Sequence, residues 1–219
     1  MKNTKLHVKG IILDLDGTLV DSRQAYLEAA RTAFSEAGQR TINIKTVIEI
    51  PKRFEQGIPI DDLLPGINVK KFRRIYLKAF YRAVAVTAKP LPEIANTLQK
   101  LSEKTKLALT TKRKVPNKDV IEQLKKFGLE QYFQTVITAC DKFNPKPSPD
   151  ALNECSRKLG LKTSECAVVG DSTVDIKAGK SAGAKTVAVT SGIFSQDELK
   201  KEKPDLILTN VTELPDFLE

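Results

Sequence analysis

The spacing of apolar positions changes character near residue 90. Before that point, "GIILDLDGTLVDS" (residues 10–22) opens as a continuous apolar run, the pattern of a strand buried on both faces. It then sets Asp14 and Asp16 where further apolar residues would be expected. "DSRQAYLEAARTAFSEAG" predicts a helix, with Asp21 and Gln24 as a capping-box-like start, Tyr26, Ala30, Ala33 and Ala37 on one face, and Gly38 as the stop. From Thr41 to about Lys89 the apolar spacing is helical around Phe72, Ile75, Tyr76, Ala79 and Phe80. Pro51, Pro59 and Pro65 predict breaks into short pieces there.

From Pro90 onward helices and strands alternate. Helical faces carrying Ile94, Leu98 and Leu101, then Val120, Ile121, Leu124 and Phe127, precede the short runs "KLALTT" and "TVITA". The helix "PDALNECSRKLG" precedes "CAVVGD", a helix ending near Ala182 precedes "KTVAVT", and a short Ser195-capped helix precedes "DLIL". This rhythm predicts an α/β fold: a doubly wound, Rossmann-like parallel sheet covered on both faces. The first strand has no helix and strand next to it in sequence, because the helical stretch comes first. The expected organisation is therefore a core domain of residues 1–17 and 90–219 interrupted by an inserted small α-helical cap domain, residues 18–89, with strand one pairing with strands that follow the insertion.

Open parallel sheets bind ligands beyond the carboxyl ends of their strands. Collecting the polar residues at those ends gives Asp14 and Asp16, then Thr110 and Thr111, then Asp171, with Lys146 in the loop "NPKPSPD" after "TVITA". Side chains at i and i+2 of an extended segment share a face, so Asp14 and Asp16 can serve one site. With Asp171 and Asp175 they form a carboxylate cluster that is costly in a partly desolvated crevice without a cation. All-oxygen donors with no histidine or cysteine suit Mg²⁺.

Composition narrows the partners. The chain has 219 residues, 41% hydrophobic and 29% charged, and its formal net charge is +9. No apolar run approaches the roughly 20 residues that cross a bilayer, and the start "MKNTKLHVKG" has no signal-peptide pattern. A cytoplasmic protein with no membrane partner is expected. The basic residues are spread along the chain without interleaved aromatics, so nucleic acid is not an expected partner, and the surface suits small anionic substrates. Cys140, Cys155 and Cys166 lack zinc-like spacing and are expected to be buried, while His7 is incidental. The chain is expected to be a monomer or homodimer.

"DLDGTLVDS", "LALTT", "KPSPD" and "VVGDSTVD" resemble, in order and across nearly the whole chain, the four motifs of the haloacid dehalogenase-like hydrolases. The similarity is to the phosphoglycolate phosphatase-like and β-phosphoglucomutase-like branch, whose helical cap is inserted after the first motif. The resemblance implies a Mg²⁺-dependent phosphatase acting on a small phosphorylated metabolite. It implies that Asp14 is the nucleophile that forms an aspartyl-phosphate and Asp16 the acid and base. Mg²⁺ would be held by the carboxylates of Asp14 and Asp171 and the backbone carbonyl of Asp16, with Asp175 on metal-bound waters. Thr110 would bond a phosphoryl oxygen, with Thr111, which stands where relatives usually have Asn, beside it in the phosphate site; Lys146 would offset its charge, and Gly17 would turn the chain and bring N–H groups near the phosphate.

Within the family, Asp16 argues against a dehalogenase or a phosphonoacetaldehyde hydrolase, which lack the second aspartate. A β-phosphoglucomutase-like phosphoryl transfer uses the same core residues, and a catalytically idle binding or regulatory protein is the alternative of a different class. In the cap, Lys52 and Arg53 of "EIPKRFEQGIPIDD" are candidate specificity residues for a second anionic group on the substrate.

Overall fold

The strand that runs into the two aspartates is β1 (Gly10–Leu13), buried at every position. It is followed by a two-residue strand, β2 (Val20–Asp21), by three helices, α1 (Arg23–Glu36), α2 (Ile44–Gln56) and α3 (Val69–Thr87), and by a second two-residue strand, β3 (Lys89–Pro90). Helices and strands then alternate through α4 (Ile94–Lys104), β4 (Lys106–Thr110), α5 (Asn117–Lys126), β5 (Phe133–Ile137), α6 (Asp150–Lys158), β6 (Cys166–Gly170), α7 (Thr173–Ser181), β7 (Lys185–Val189), α8 (Gln196–Lys201) and β8 (Leu206–Leu208). The structure, a computed structural model, describes residues 5–39 and 42–219. The first four residues of the expected core segment, and Thr41 at the predicted start of the irregular stretch, lie outside the described residues.

Six strands form one sheet in the order β5-β4-β1-β6-β7-β8, and every neighbouring pair is parallel. The alternation of side chains along β1 shows why both faces are covered. Ile11 and Leu13 enter a cluster with Leu98, Leu101, Val120 and Leu124 of α4 and α5, while Ile12 enters another with Leu152, Cys155 and Ala178 of α6 and α7. The chain builds outward from β1 through β4 to β5, then crosses to the other side for β6. The strand order thus reverses at β1, and such a switch point opens a crevice at the carboxyl ends of the strands.

The chain divides into two compact units, residues 1–20 with 90–219 and residues 21–89. The first crossing lies after Val20 and not directly after Gly17, because Leu19 and Val20 are fully buried in the same apolar cluster as Leu15. In the second unit, Ala25, Ala29, Ala30 and Ala33 of α1 pack with Phe72, Tyr76 and Phe80 of α3. Phe34 meets Phe72 edge to face at 4.9 Å between ring centres.

Three local expectations are corrected. Pro51 does not break its segment: it lies inside α2, buried beside Val47 and Ile50, where its contribution to the apolar face offsets the lost helix bond. Asp21 is not the cap of α1; Ser22 stands at that position, and Asp21 instead accepts the Arg23 N–H and pairs with its guanidinium. Cys155 and Cys166 are buried, but Cys140 is exposed, because it sits in the loop after β5. Burial pushes the Cys155 and Cys166 thiols up to about 12 and about 11. Among the described residues no helix is long and apolar enough to cross a membrane.

Candidate active site

The sheet register sets the site. Leu13 aligns with Leu109 of β4 and Val169 of β6, so Asp14, Thr110 and Gly170 follow at one level. The Asp14 N–H donates to the Val169 carbonyl at 2.9 Å, which keeps Asp14 in line with the strand. Lys146 comes from the loop between β5 and α6 and is only 4% exposed. Its Nζ donates to Asp14 Oδ1 at 2.7 Å, to Asp175 Oδ1 at 2.6 Å and to the Thr110 carbonyl at 3.4 Å.

Carboxylate oxygens of Asp14, Asp171 and Asp175 all lie within 4.8 Å of one another. For Asp14, burial is the largest influence and pushes the carboxyl up; Lys146 pulls against it, and Asp175 and Asp16 add to the push. For Lys146, burial alone would lower the ammonium, but Asp14 and Asp175 outweigh it and hold it above the ordinary lysine value. One ammonium among three carboxylates leaves excess negative charge. A hard divalent cation with oxygen ligands fits that donor set, and Asp14, Asp171 and Asp175 are the side chains that could hold it.

Asp175 also has a local role. It occupies the first turn of α7, where the Ser172 N–H and hydroxyl donate to its Oδ2, and its own N–H returns a bond to Ser172 Oγ. This capping box and Lys146 together fix the carboxylate. Asp171 is confined differently, by two glycines. A Cβ on Gly17, whose φ is +76°, would lie 2.5 Å from Asp171 Oδ2, and one on Gly192 would lie 1.6 Å from it. Ser191 closes this contact by donating its hydroxyl to the Gly17 carbonyl at 2.6 Å.

Asp16 is not part of the carboxylate cluster. Its two oxygens accept a fork from Arg113, Nε to Oδ2 at 2.7 Å and the terminal nitrogen to Oδ1 at 2.6 Å. Thr111 is buried, and its hydroxyl accepts the Arg113 N–H at 3.2 Å, so it shapes the loop after β4. Beside Lys146, a shallow pocket with about 270 Å³ of open space is bordered by Thr110, Thr111, Thr138, Phe143 and Asn144.

Within the second unit, Arg53 pairs with Glu49 at 3.0 Å and with Asp62, and donates to the Pro59 carbonyl, so its charge is offset locally. Lys52 precedes it on α2. His7 is exposed and 2.7 Å from Glu219. Sequence reasoning did not assign Arg113, Ser191 or Gly192 to the site. The signal for the last two was their place just beyond β7, at the carboxyl edge of the sheet.

A parallel sheet with carboxylates and a buried lysine at its switch point defines an α/β protein whose crevice is built to balance charge, an arrangement that phosphoryl transfer requires. Residues 11–189 match the family described as haloacid dehalogenase-like hydrolase. The chain belongs to this family and is a hydrolase. It is 27% identical over 217 residues to pyrophosphatase PpaX of Halalkalibacterium halodurans, covering 97% of this chain and 98% of that protein. It is 29% identical over 231 residues to phosphoglycolate phosphatase of Escherichia coli, covering 94% and 91% respectively. A haloacid dehalogenase-like hydrolase of Streptococcus pneumoniae superimposes with a TM-score of 0.78 at 23% identity, covering 95% of this chain and 97% of that one.

Proposed function

We propose that the protein is a Mg²⁺-dependent phosphatase that hydrolyses a small, anionic phosphorylated metabolite through an aspartyl-phosphate on Asp14. The observation that carries this reading is the placement of Asp14 at the end of the central strand, ion-paired to buried Lys146 and level with Thr110. A carboxylate oxygen of Asp14 attacks phosphorus as the bond to the ester oxygen breaks, and Asp16 gives that oxygen its proton. Water then attacks the phosphorus of the aspartyl-phosphate and passes a proton to Asp16. Inorganic phosphate departs, and both carboxyl groups return to their starting states.

Thr110 donates its hydroxyl to a phosphoryl oxygen, and Lys146 offsets the charge shared by Asp14 and the phosphoryl group. Gly17 turns the chain without a side chain that would displace Asp171. Asp14, Asp171 and the Asp16 carbonyl, with Asp175 beside them, would hold Mg²⁺, which would supply positive charge to the phosphoryl oxygens. Two relatives bear names of phosphatases for small polyanions, pyrophosphate and phosphoglycolate, which supports an anionic substrate. In the second unit, Lys52 and Arg53 are the proposed specificity residues for an anionic substrate, Arg53 being paired with Glu49 and Asp62.

The purified protein should release phosphate from p-nitrophenyl phosphate only with Mg²⁺. EDTA should abolish the activity, and Asp14→Asn should lower it by about 10³-fold or more. Turnover that persists in Asp14→Asn overturns the mechanism. A screen of phosphoglycolate, pyrophosphate, nucleoside monophosphates and hexose phosphates then identifies the substrate, and equal turnover of neutral and anionic esters would count against the anionic class.

A further inference from the structure

We propose that Arg113 is a positioning residue for Asp16: braced by Gln123 of α5, its guanidinium sets the orientation of the carboxylate that exchanges protons with the leaving group. The inference rests on the acid and base role given to Asp16 above. Three observations carry it. The contact is buried, with side-chain exposures of 6% for Arg113 and 12% for Asp16. It is a two-point fork, which fixes the plane of a carboxylate where a single N–H bond would leave it free to rotate.

The third observation is that Arg113 is itself held from several directions. Its remaining terminal nitrogen donates to Gln123 Oε1 at 2.5 Å, and its backbone N–H donates to Thr111 Oγ1. Its carbonyl accepts the Ala139 N–H at 3.1 Å. A guanidinium anchored at both ends of the residue is preorganised, so the fork transmits the position of α5 and the β4 loop to Asp16. Both Asp16 oxygens accept from Arg113 here, so when Asp16 carries the proton it gives, that oxygen leaves the fork and the other arm keeps the carboxyl group in place.

The test uses two aryl phosphates of similar size, p-nitrophenyl phosphate, whose leaving group departs without a proton, and phenyl phosphate, whose leaving group needs one. Arg113→Gln should lower kcat/KM for phenyl phosphate by about 10- to 100-fold and for p-nitrophenyl phosphate by less than about 3-fold. Inhibition by inorganic phosphate should stay within about 2-fold of wild type. Asp16→Asn should show the same leaving-group pattern, and adding Arg113→Gln to it should cost no more than about 2-fold further. Arg113→Lys, which keeps the charge but not the fork, should fall between wild type and Arg113→Gln. If Arg113→Gln fails to fold, Gln123→Ala should show the same selectivity in weaker form.

Equal losses on both esters, with weaker phosphate inhibition, would make Arg113 a substrate-anion contact and overturn the proposal. Equal losses with unchanged inhibition, or full additivity with Asp16→Asn, would leave only a structural role and overturn it as well. If Asp16→Asn itself reduces both esters alike, the acid and base reading of Asp16 falls and this inference falls with it. That failure is distinct from one in which only the Arg113 variants depart from the pattern.

Discussion

Lys146 is the residue on which the electrostatics of the site balance. It is nearly inaccessible and bridges carboxylates from β1 and α7 that would otherwise repel one another. Lys146→Ala should lower stability by about 3 kcal/mol, read from the urea midpoint, because it leaves buried charge uncompensated. The same variant should lower kcat by about 100-fold or more. Gly192→Ala should act through Asp171: the new Cβ has no room beside Oδ2, so the carboxylate must move. The Mg²⁺ concentration for half-maximal activity should rise by about 10-fold or more in a titration, with a smaller change in melting temperature. At this scale the strand-end positions of Asp14, Thr110 and Asp171 were legible from the apolar runs before them, and Lys146 from its place between two prolines in the loop after β5. Arg113 was not, since it sits among other basic residues and meets Asp16 across 97 positions, a distance over which no local pattern operates.

Elements are tied to one another by a few polar contacts at their ends, and Asp205 shows this most clearly. It precedes β8 and accepts the N–H and hydroxyl of Thr186 at the start of β7, with Lys185 alongside at 3.4 Å. Burial pulls the Asp205 carboxyl up, but the Thr186 and Lys185 bonds outweigh it and hold it below the ordinary range. A lowered folded-state value means that the contribution is present above the unfolded value, about 4, and is lost as pH falls through the folded one. Asp205→Asn should therefore be destabilised by about 1 kcal/mol at pH 7, allowing for its partial exposure. In urea unfolding across pH, the gap to wild type should close below about pH 4. The alternating elements after residue 90 were legible because each strand carries an apolar run and most of the helices carry one apolar face. The region before it was less so: β2 and β3 are too short for any alternation, and buried Pro51 reads as a breaker when viewed as sequence alone.

Across the whole molecule, the net charge of +9 bears on how substrate arrives. A basic surface raises the encounter rate of polyanions and loses that effect as salt screens it. kcat/KM for a trianionic ester such as phosphoglycolate should fall more steeply between about 20 and 300 mM KCl than that for dianionic p-nitrophenyl phosphate. Equal salt slopes would remove charge steering from the account. The second crossing between the two compact units falls where the sequence changes rhythm near residue 90, whereas the first follows the burial of Leu19 and Val20, which turn residues do not announce. The sheet order has one further consequence, which concerns synthesis. Gly10 pairs with Lys106 on one side and Cys166 on the other, whereas residues 21–89 are contiguous and have an apolar core of their own. As the chain leaves the ribosome, the helical unit can collapse early while β1 waits for most of the remaining sequence. Asp14 and Asp16 are thus made before the strands that set them in place.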